Sequence, residues 1–168
     1  MTLFKNLKVV GSHVMGGKEK KSMMQKYGGS SFLSVENTFI VNKCKDKKVV
    51  ITQENKPIIF IYNNIYIPTL QHIRMEPDVL KKTIFLDEGA YKPLCSGAAV
   101  MAPGIYKYRH LITTEIFLND IVKIDILNKG CIAVGIALME INKIGAETKG
   151  QAIEVLHIEG DELDLKRF

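Results

Sequence analysis

The stretch from Asn37 to Pro68, NTFIVNKCKDKKVVITQENKPIIFIYNNIYIP, places the strongest constraint on the fold of this chain. It consists of short runs of Val, Ile, Phe and Tyr that are separated by the polar segments KDKK, ENKP and YNN. Runs rich in β-branched and aromatic residues favour strands, and polar segments of this kind favour tight turns. The stretch therefore predicts a meander of antiparallel strands.

Short helices are predicted on both sides of this meander. The segment GGKEKKSMMQKYGG, residues 16–29, is bracketed by glycine pairs and places its Met and Tyr side chains on one side. After Pro68, the segment TLQHIRM has an apolar spacing that suits a short helix, with Thr69 as its N-terminal cap. This part of the chain is therefore predicted to be an α+β domain.

A second domain is predicted to begin after the segment MEPDVLKK, residues 75–82, because Pro77 interrupts regular structure there. The predicted domains are 1–82 and 83–168. The balance of charge changes near the same point, since the first 83 residues carry 14 basic and 6 acidic side chains and the last 85 carry 9 and 12. The net charge of +5 favours an anionic partner, and the basic excess lies in the first domain.

The second domain is predicted to be a small, mostly β barrel with few helices. Its predicted elements are a strand over 83–87, a helix over 88–96, a strand over 98–102, a hairpin over 119–141 and a last strand that begins at Gln151. Gly97 follows the helix and can adopt the left-handed backbone angle that a helix C-cap requires. Together the two domains predict an α+β fold class that is mostly β.

Common catalytic, metal-binding and membrane patterns do not occur in the sequence. The three cysteines are widely spaced, the four histidines show no H-x-x-x-H spacing, and there is neither a Walker A loop nor a G-x-S-x-G motif. The densest apolar run, CIAVGIALM, is nine residues long and too short to cross a bilayer, and the segment MTLFKNLKVV lacks a signal-peptide core. We therefore expect a cytoplasmic, non-enzymatic protein without a cofactor, a metal or a membrane association.

The segment PLCSGAAVMAPGIYKYRH, residues 93–110, is the first candidate site. Gly97 and the two alanines after it are slim enough to let a folded RNA approach the backbone, and Pro103-Gly104 is predicted to form a turn. The aromatic and basic side chains that follow suit stacking on bases and contact with phosphates. The alternative is that these residues are small because a small barrel has a tight interior, and Met101 is expected in the core.

The second candidate site is electrostatic and lies in the first domain. It is formed by lysines on the first helix and by further lysines around a hairpin of the meander. The helix lysines are Lys18, Lys20, Lys21 and Lys26, and the hairpin lysines are Lys43, Lys45, Lys47 and Lys48. A phosphate footprint for ribosomal RNA is one interpretation of these lysines, and a solvated polar face is the other.

Ordered motifs in the second half resemble a PUA domain, the small pseudo-barrel of pseudouridine synthases, archaeosine transglycosylases and translation factors. They are Asp87-Glu88-Gly89-Ala90, Ser96-Gly97-Ala98, Val100-Met101-x-Pro103-Gly104-Ile105, Asn119-Asp120-x-Val122, Ala133-Val134-Gly135, Lys149-Gly150, Leu156-His157 and Gly160-Asp161-x-Leu163. The first half, with its closing Tyr66-Ile67-Pro68-Thr69-Leu70, looks like the pre-PUA domain of the malignant T-cell-amplified-sequence family. The resemblance covers nearly the whole chain.

This resemblance implies a function and completes the candidate RNA-binding face. Members of the family are small translation factors that pair with the density-regulated protein and act on the small ribosomal subunit in recycling and re-initiation. The expected partners are therefore ribosomal RNA, with tRNA as a further candidate, the small subunit and a density-regulated-protein-like chain. The expected RNA-binding residues are Lys92, Ser96, Gly97, Ala98, Pro103, Gly104, Tyr106, Lys107, Arg109 and Lys149. The alternatives are a ribosome biogenesis factor of the same build and a targeting subunit of an RNA-modification enzyme.

Overall fold

The structure is a computed structural model that describes residues 3–28, 30 and 33–168. The chain divides into two compact units, the first made of Asn6–Val79 and Glu162–Phe168 and the second of residues 3–5 and Leu80–Asp161. The boundary at Val79 lies inside the segment in which the sequence predicts a junction. The chain ends are exchanged relative to the predicted domains 1–82 and 83–168, because residues 3–5 belong to the second unit and the last seven residues to the first.

The first unit contains one sheet of five antiparallel strands in the order β1-β2-β3-β4-β5. The strands are β1 (Val9–Val14), β2 (Ile40–Cys44), β3 (Val49–Gln53), β4 (Lys56–Tyr62) and β5 (Ile65–Pro68). The turn between β4 and β5 is closed by Asn63 and Asn64, whose φ angles of 48° and 62° match the left-handed turn residues that tight hairpins require. The predicted meander is confirmed.

Helix α1 (Gly17–Tyr27) covers one face of this sheet. Its Met23 is fully buried in a cluster with Val41 of β2 and Ile51 of β3. The helix ends where the N–H of Gly28, at a φ of 83°, donates to the carbonyl of Met24 at 3.2 Å. The predicted helix is confirmed, and the second glycine that was expected to bracket it, at position 29, lies outside the described residues.

Helix α2 (Leu70–Met75) begins at the predicted cap. The Thr69 hydroxyl accepts a hydrogen bond from the N–H of His72 at 3.2 Å and donates to the carbonyl of Pro57 at 2.7 Å. Thr69 therefore satisfies one free N–H of the first helical turn and ties the helix to β4. The prediction of a Thr69-capped helix is confirmed.

His72 lies in a buried polar cluster that joins α2 to the end of α1. Its Nδ1 is 2.9 Å from the Tyr27 hydroxyl, and the two rings stack with centroids 5.7 Å apart. Its Nε2 lies 3.3 Å from a carboxylate oxygen of Glu76 and 3.3 Å from the hydroxyl of Ser30. Burial lowers the pKa of His72 below its ordinary value of 6.5, although the hydrogen bond that the Glu76 carboxylate accepts from the ring opposes that change.

The stability of the protein is expected to fall in acid through His72. A histidine with a lowered pKa in the folded state contributes stability that is complete above pH 6.5 and is lost as the pH falls through the lower, folded-state pKa. The free energy of unfolding of a His72→Gln variant should be about 1–3 kcal/mol lower at pH 7.5, because the partners of the His72 ring, Tyr27, Ser30 and Glu76, lose a hydrogen bond. It should also lose less further stability than the wild type between pH 7.5 and 5.5 in urea unfolding followed by circular dichroism.

The matched control for that experiment is His13→Gln, because the His13 side chain is exposed and pairs with Glu19 at the surface. This variant should keep the wild-type stability at pH 7.5 and the wild-type dependence on pH. The assignment to His72 is contradicted if His72→Gln keeps the full acid sensitivity of the wild type.

The second unit contains a mixed sheet of five strands in the order β6-β8-β9-β10-β7. The strands are β6 (Thr83–Leu86), β7 (Val100–Met101), β8 (Ile121–Ile126), β9 (Gly130–Ala137) and β10 (Gln151–Ile158), and the helices are α3 (Tyr91–Cys95) and α4 (Ala102–Lys107). Strand β6 runs parallel to β8 and the other neighbours are antiparallel. Alternate residues of β8, Val122, Ile124 and Ile126, point into the core of this unit. The predicted α+β, mostly β fold class is confirmed.

Two predictions for the segment after α3 are wrong. The strand predicted over 98–102 is only the two-residue β7, because Ala98 belongs to the cap of α3 and Ala102 begins α4. Pro103 and Gly104 do not turn the chain, since both lie in the first turn of α4. Proline suits that position because its fixed φ is helical and its missing N–H has no partner to lose there.

The first described residues complete the core of the second unit. The N–H of Leu3 donates to the carbonyl of Leu156 at 3.2 Å. Phe4 is 2% exposed, and its ring meets the ring of His157 edge-on with centroids 5.7 Å apart. His157 is itself fixed by the carboxylate of Asp161 at 2.8 Å.

The last residues belong to the first unit. Helix α5 (Glu162–Leu165) buries Leu163 completely. The carboxylate of Asp164 accepts a hydrogen bond from the Arg74 guanidinium at 2.6 Å, and its backbone carbonyl accepts one from Gln71 at 3.1 Å. These contacts anchor the end of the chain to α2.

Candidate RNA-binding site

The candidate site begins at the end of α3, where the chain turns sharply. The N–H of Gly97 donates to the carbonyl of Leu94, and the N–H of Ala98 donates to the carbonyl of Pro93, both at 2.9 Å. Gly97 has a φ of 97°, so the helix ends in the paired hydrogen bonds and left-handed residue of a Schellman motif. The predicted cap at Gly97 is confirmed, and the two residues after it are exposed to solvent.

A surface pocket of about 180 Å³ follows this turn. It is lined by apolar and small residues from β6, α3, β7 and α4: Leu86, Ala90, Pro93, Leu94, Ala98, Ala99, Val100, Met101 and Gly104. Ala98 and Ala99 are exposed, so the tight interior of a barrel does not explain their size. The pocket has room for a flat apolar group.

Met101 is a correction to the sequence analysis, which expected this side chain in the core. It is 46% exposed, whereas the neighbouring Val100 is 2% exposed. The reason is that the two residues form an edge strand, in which successive side chains point to opposite faces. That alternation is the signal in the sequence that could have identified Met101 as a wall of the pocket.

Two predicted lysines lie near the pocket. Lys92 is exposed on α3 and directly precedes Pro93, which lines the pocket. Lys149 is exposed in the loop before β10, and the carbonyl of the adjacent Gly150 accepts a hydrogen bond from the N–H of Ala102 at 2.9 Å. The fold therefore places two exposed lysines near an apolar pocket, an arrangement that suits a base with its phosphates.

Lys107 is engaged with an acidic side chain. Its ammonium lies 2.8 Å from the Asp87 carboxylate, which also accepts hydrogen bonds from the Tyr108 hydroxyl at 2.9 Å and the N–H of Gly89 at 3.0 Å. The hydrogen bond from Lys107 holds the pKa of Asp87 well below its usual range, and the pKa of Lys107 is raised in turn. Lys107 therefore orients the end of α4 and is partly neutralised as a phosphate ligand.

Arg109 and Tyr106 form a pair of their own. The Arg109 guanidinium lies 4.7 Å from the centroid of the Tyr106 ring and donates to the carbonyl of Ile144 at 2.9 Å. Tyr106 is half-buried and packs against the core of its unit. Neither residue lines the pocket, and one face of the Tyr106 ring is covered by Arg109.

The remaining predicted residues of this face, Ser96 and Pro103, are exposed next to the lining residues Leu94 and Gly104. The small residues thus line one pocket, with Lys92 and Lys149 exposed near it. The side chains of Tyr106, Lys107 and Arg109 make contacts with other residues of the unit. Sequence reasoning missed the pocket walls contributed by Leu86 and Ala90, because they come from elements that only the fold places beside β7.

The helix lysines of the first unit divide into two kinds. Lys18, Lys21 and Lys26 are exposed, and Lys20 is half-buried. The ammonium of Lys20 donates to the carbonyl of Val35 at 3.1 Å, and that of Lys26 lies 5.9 Å from the centroid of the Tyr66 ring. Half of the predicted electrostatic patch on α1 is therefore engaged in contacts within the unit.

The described part of the chain holds neither a membrane-spanning helix nor a cluster of metal-binding side chains. None of the helices in residues 3–28, 30 and 33–168 has the length and apolar character needed to span a membrane. Over the same residues, His, Cys, Asp and Glu side chains do not gather in threes where a metal ion could bind.

The fold and the pocket define the class of protein, since residues 82–158 match the PUA domain. A conserved PUA domain protein from Thermoplasma acidophilum superposes with a TM-score of 0.69 over 92% of this chain and 98% of that chain, at 22% identity. The predicted PUA pseudo-barrel with a preceding α+β unit is confirmed.

Two relatives narrow the class to a family. An uncharacterized protein of Methanocaldococcus jannaschii is 39% identical over 115 residues, which are 68% of this chain and 68% of that protein. Translation machinery-associated protein 20 of Eremothecium gossypii is 31% identical over 122 residues, 71% of this chain and 67% of that protein. The chain belongs to the family of translation machinery-associated protein 20, the malignant T-cell-amplified-sequence family, as its motifs predict.

Proposed function

We propose that this protein is an RNA-binding factor of translation that acts on the small ribosomal subunit. The observation that carries the proposal is the exposed, small-residue pocket of the PUA domain, which has exposed lysines near it. Single-stranded RNA is recognised by unstacked bases that enter such pockets while basic side chains contact the phosphates. Relatives named for the translation machinery support the assignment of this activity to translation.

The ribosome-directed part of the proposal also rests on charge. The first unit, residues 6–79 and 162–168, carries 13 basic and 8 acidic side chains, whereas the second unit carries 10 of each. The first unit therefore supplies the long-range attraction to ribosomal RNA, and the PUA pocket supplies the local contact with an RNA end. A density-regulated-protein-like chain is the proposed partner in recycling and re-initiation, and tRNA is the further candidate ligand of the pocket.

We further propose that the protein is not an enzyme and acts in the cytoplasm. The acidic residues that the sequence places in pairs serve structural contacts. Asp87 is held by Lys107 and Tyr108, and Asp161 accepts hydrogen bonds from His157 and from the N–H of Ile158. Carboxylates occupied in this way are poorly placed for acid–base catalysis.

Filling the pocket tests the proposal. Ala98→Phe should weaken binding to a fluorescent oligoribonucleotide with a free single-stranded 3′ end, because the phenyl ring would fill the pocket. The expected loss is about tenfold or more, which corresponds to about 1.4 kcal/mol. The same variant should co-sediment less with purified small ribosomal subunits. Ala146→Phe is the matched control, because Ala146 is likewise exposed and does not line the pocket.

Circular dichroism should show that the Ala98→Phe and Ala146→Phe variants are both folded. Equal binding by Ala98→Phe, Ala146→Phe and the wild type would mean that the pocket is not the RNA contact. Co-sedimentation with large-subunit precursors in place of small subunits would favour a role in ribosome biogenesis.

A further inference from the structure

The tip of the hairpin between β2 and β3 concentrates positive charge at one end of the first sheet. The hairpin closes where the N–H of Cys44 donates to the carbonyl of Lys48 at 2.8 Å. Between them, Lys45–Lys47 form one tight turn in which Asp46 and Lys47 have φ angles of 59° and 60°. Two successive left-handed residues fix the turn, so that Lys45 and Lys47 are presented to solvent on a defined backbone.

A third segment brings another lysine to this tip. The N–H of Lys45 donates to the carbonyl of Lys8 at 2.9 Å, and the next residue, Val9, is paired with Cys44 in the sheet. We call Lys8, Lys45, Lys47 and Lys48 the hairpin patch. Lys8, Lys45 and Lys47 are exposed, and Lys48 is half-buried.

The acidic groups near the hairpin patch do not balance it. The carboxylate of Asp46 lies 3.9 Å from the ammonium of Lys48. The carboxylate of Glu162 accepts hydrogen bonds from the backbone N–H groups of Asn6 and Leu7.

The buried thiol of Cys44 lies beneath this charge. Burial raises its pKa, and the positive charges of Lys166 and Lys48 oppose that rise. The ammonium of Lys166 donates to the carbonyl of Leu7 at 2.6 Å, which adds a fifth cation to the same end of the sheet.

We propose that the hairpin patch is a phosphate-binding site for RNA, separate from the PUA pocket and from α1; this inference rests on the proposed function. Exposed lysines on a fixed turn suit the evenly spaced charges of an RNA backbone, which they contact without reading sequence. Protein interfaces are depleted in lysine, so an acidic protein segment fits these four side chains less well. On α1, by contrast, Lys20 and Lys26 are engaged, and Glu19 lies between Lys18 and Lys21 in the sequence.

The test compares two double variants of the full chain that each remove two exposed lysines. K45Q/K47Q alters the hairpin patch and K18Q/K21Q alters α1. The probe is a fluorescein-labelled oligouridylate, and its anisotropy is measured over a range of KCl concentrations. The slope of log affinity against log salt should become shallower by about 1.4 in K45Q/K47Q, because each phosphate contact to a single strand contributes about 0.7. The slope of K18Q/K21Q should stay close to that of the wild type.

Each other outcome overturns the inference. A change in K18Q/K21Q alone would place the phosphate contacts on α1, and equal changes in both variants would report net charge only. A wild-type slope in K45Q/K47Q, with RNA still bound, would leave an acidic protein segment as the occupant of the patch while the proposed function stands. If the wild-type protein does not bind the probe, the proposed function fails together with the inference.

Discussion

A Phe4→Ala variant is expected to lower the free energy of unfolding of the second unit by about 3–5 kcal/mol, the usual cost of truncating a buried phenylalanine. Phe4 is 2% exposed and meets the ring of His157, which lies at the far end of the chain in sequence. Removal of the ring leaves a cavity beside β10 that the surrounding backbone cannot fill. The measurement is urea unfolding followed by circular dichroism.

The matched control is Phe117→Ala, because Phe117 is 52% exposed on the same unit. Phe117→Ala should change the free energy of unfolding by no more than about 0.5 kcal/mol, as is usual for surface substitutions. A cost below about 1 kcal/mol for Phe4→Ala would show that the start of the chain is not part of the core of the second unit.

A Gly135→Ala variant is expected to destabilise the same unit by about 3 kcal/mol, because overpacked cores must move backbone to relieve the strain. Gly135 lies in the buried strand β9, between β8 and β10. A Cβ atom at this position would lie 2.5 Å from the Cγ2 of Ile153 and 2.6 Å from the backbone oxygen of Glu154. The second contact is with backbone, so a change of rotamer cannot relieve it.

Gly104→Ala is the control for this glycine. A Cβ atom there meets only the Cδ2 of Leu86 at 3.6 Å, an ordinary contact. Since Gly104 lies in α4, alanine should stabilise the protein by about 0.5–1 kcal/mol, although it narrows the pocket. In thermal unfolding, the Tm should rise for Gly104→Ala and fall for Gly135→Ala. A Gly135→Ala protein with the wild-type Tm would contradict the expected clash in β9.

The parts of the fold that the sequence could predict are those set by local chemistry. The meander follows from β-branched runs and asparagine turns, and the Thr69 cap and the Gly97 stop follow from backbone groups within a few residues. The family motifs added the PUA domain, because their order over the second half matches one fold.

What the sequence could not predict depends on contacts between distant residues. Proline followed by glycine suits a turn as well as the first turn of a helix, and the helix that forms here contacts β6, which lies earlier in the chain. The pairing of Lys107 with Asp87 joins residues twenty positions apart. The exchange of the chain ends likewise places Phe4 beside His157.

Ultraviolet crosslinking in growing cells of the source organism tests whether the protein contacts the RNA of the small ribosomal subunit. A tagged full-length protein is crosslinked and purified under denaturing conditions, and the attached RNA is sequenced. We expect reads from the RNA of the small ribosomal subunit, with fewer reads in the Ala98→Phe and K45Q/K47Q variants than in Ala146→Phe. Reads confined to large-subunit precursors or to guide RNAs, or the absence of crosslinked RNA, would contradict it.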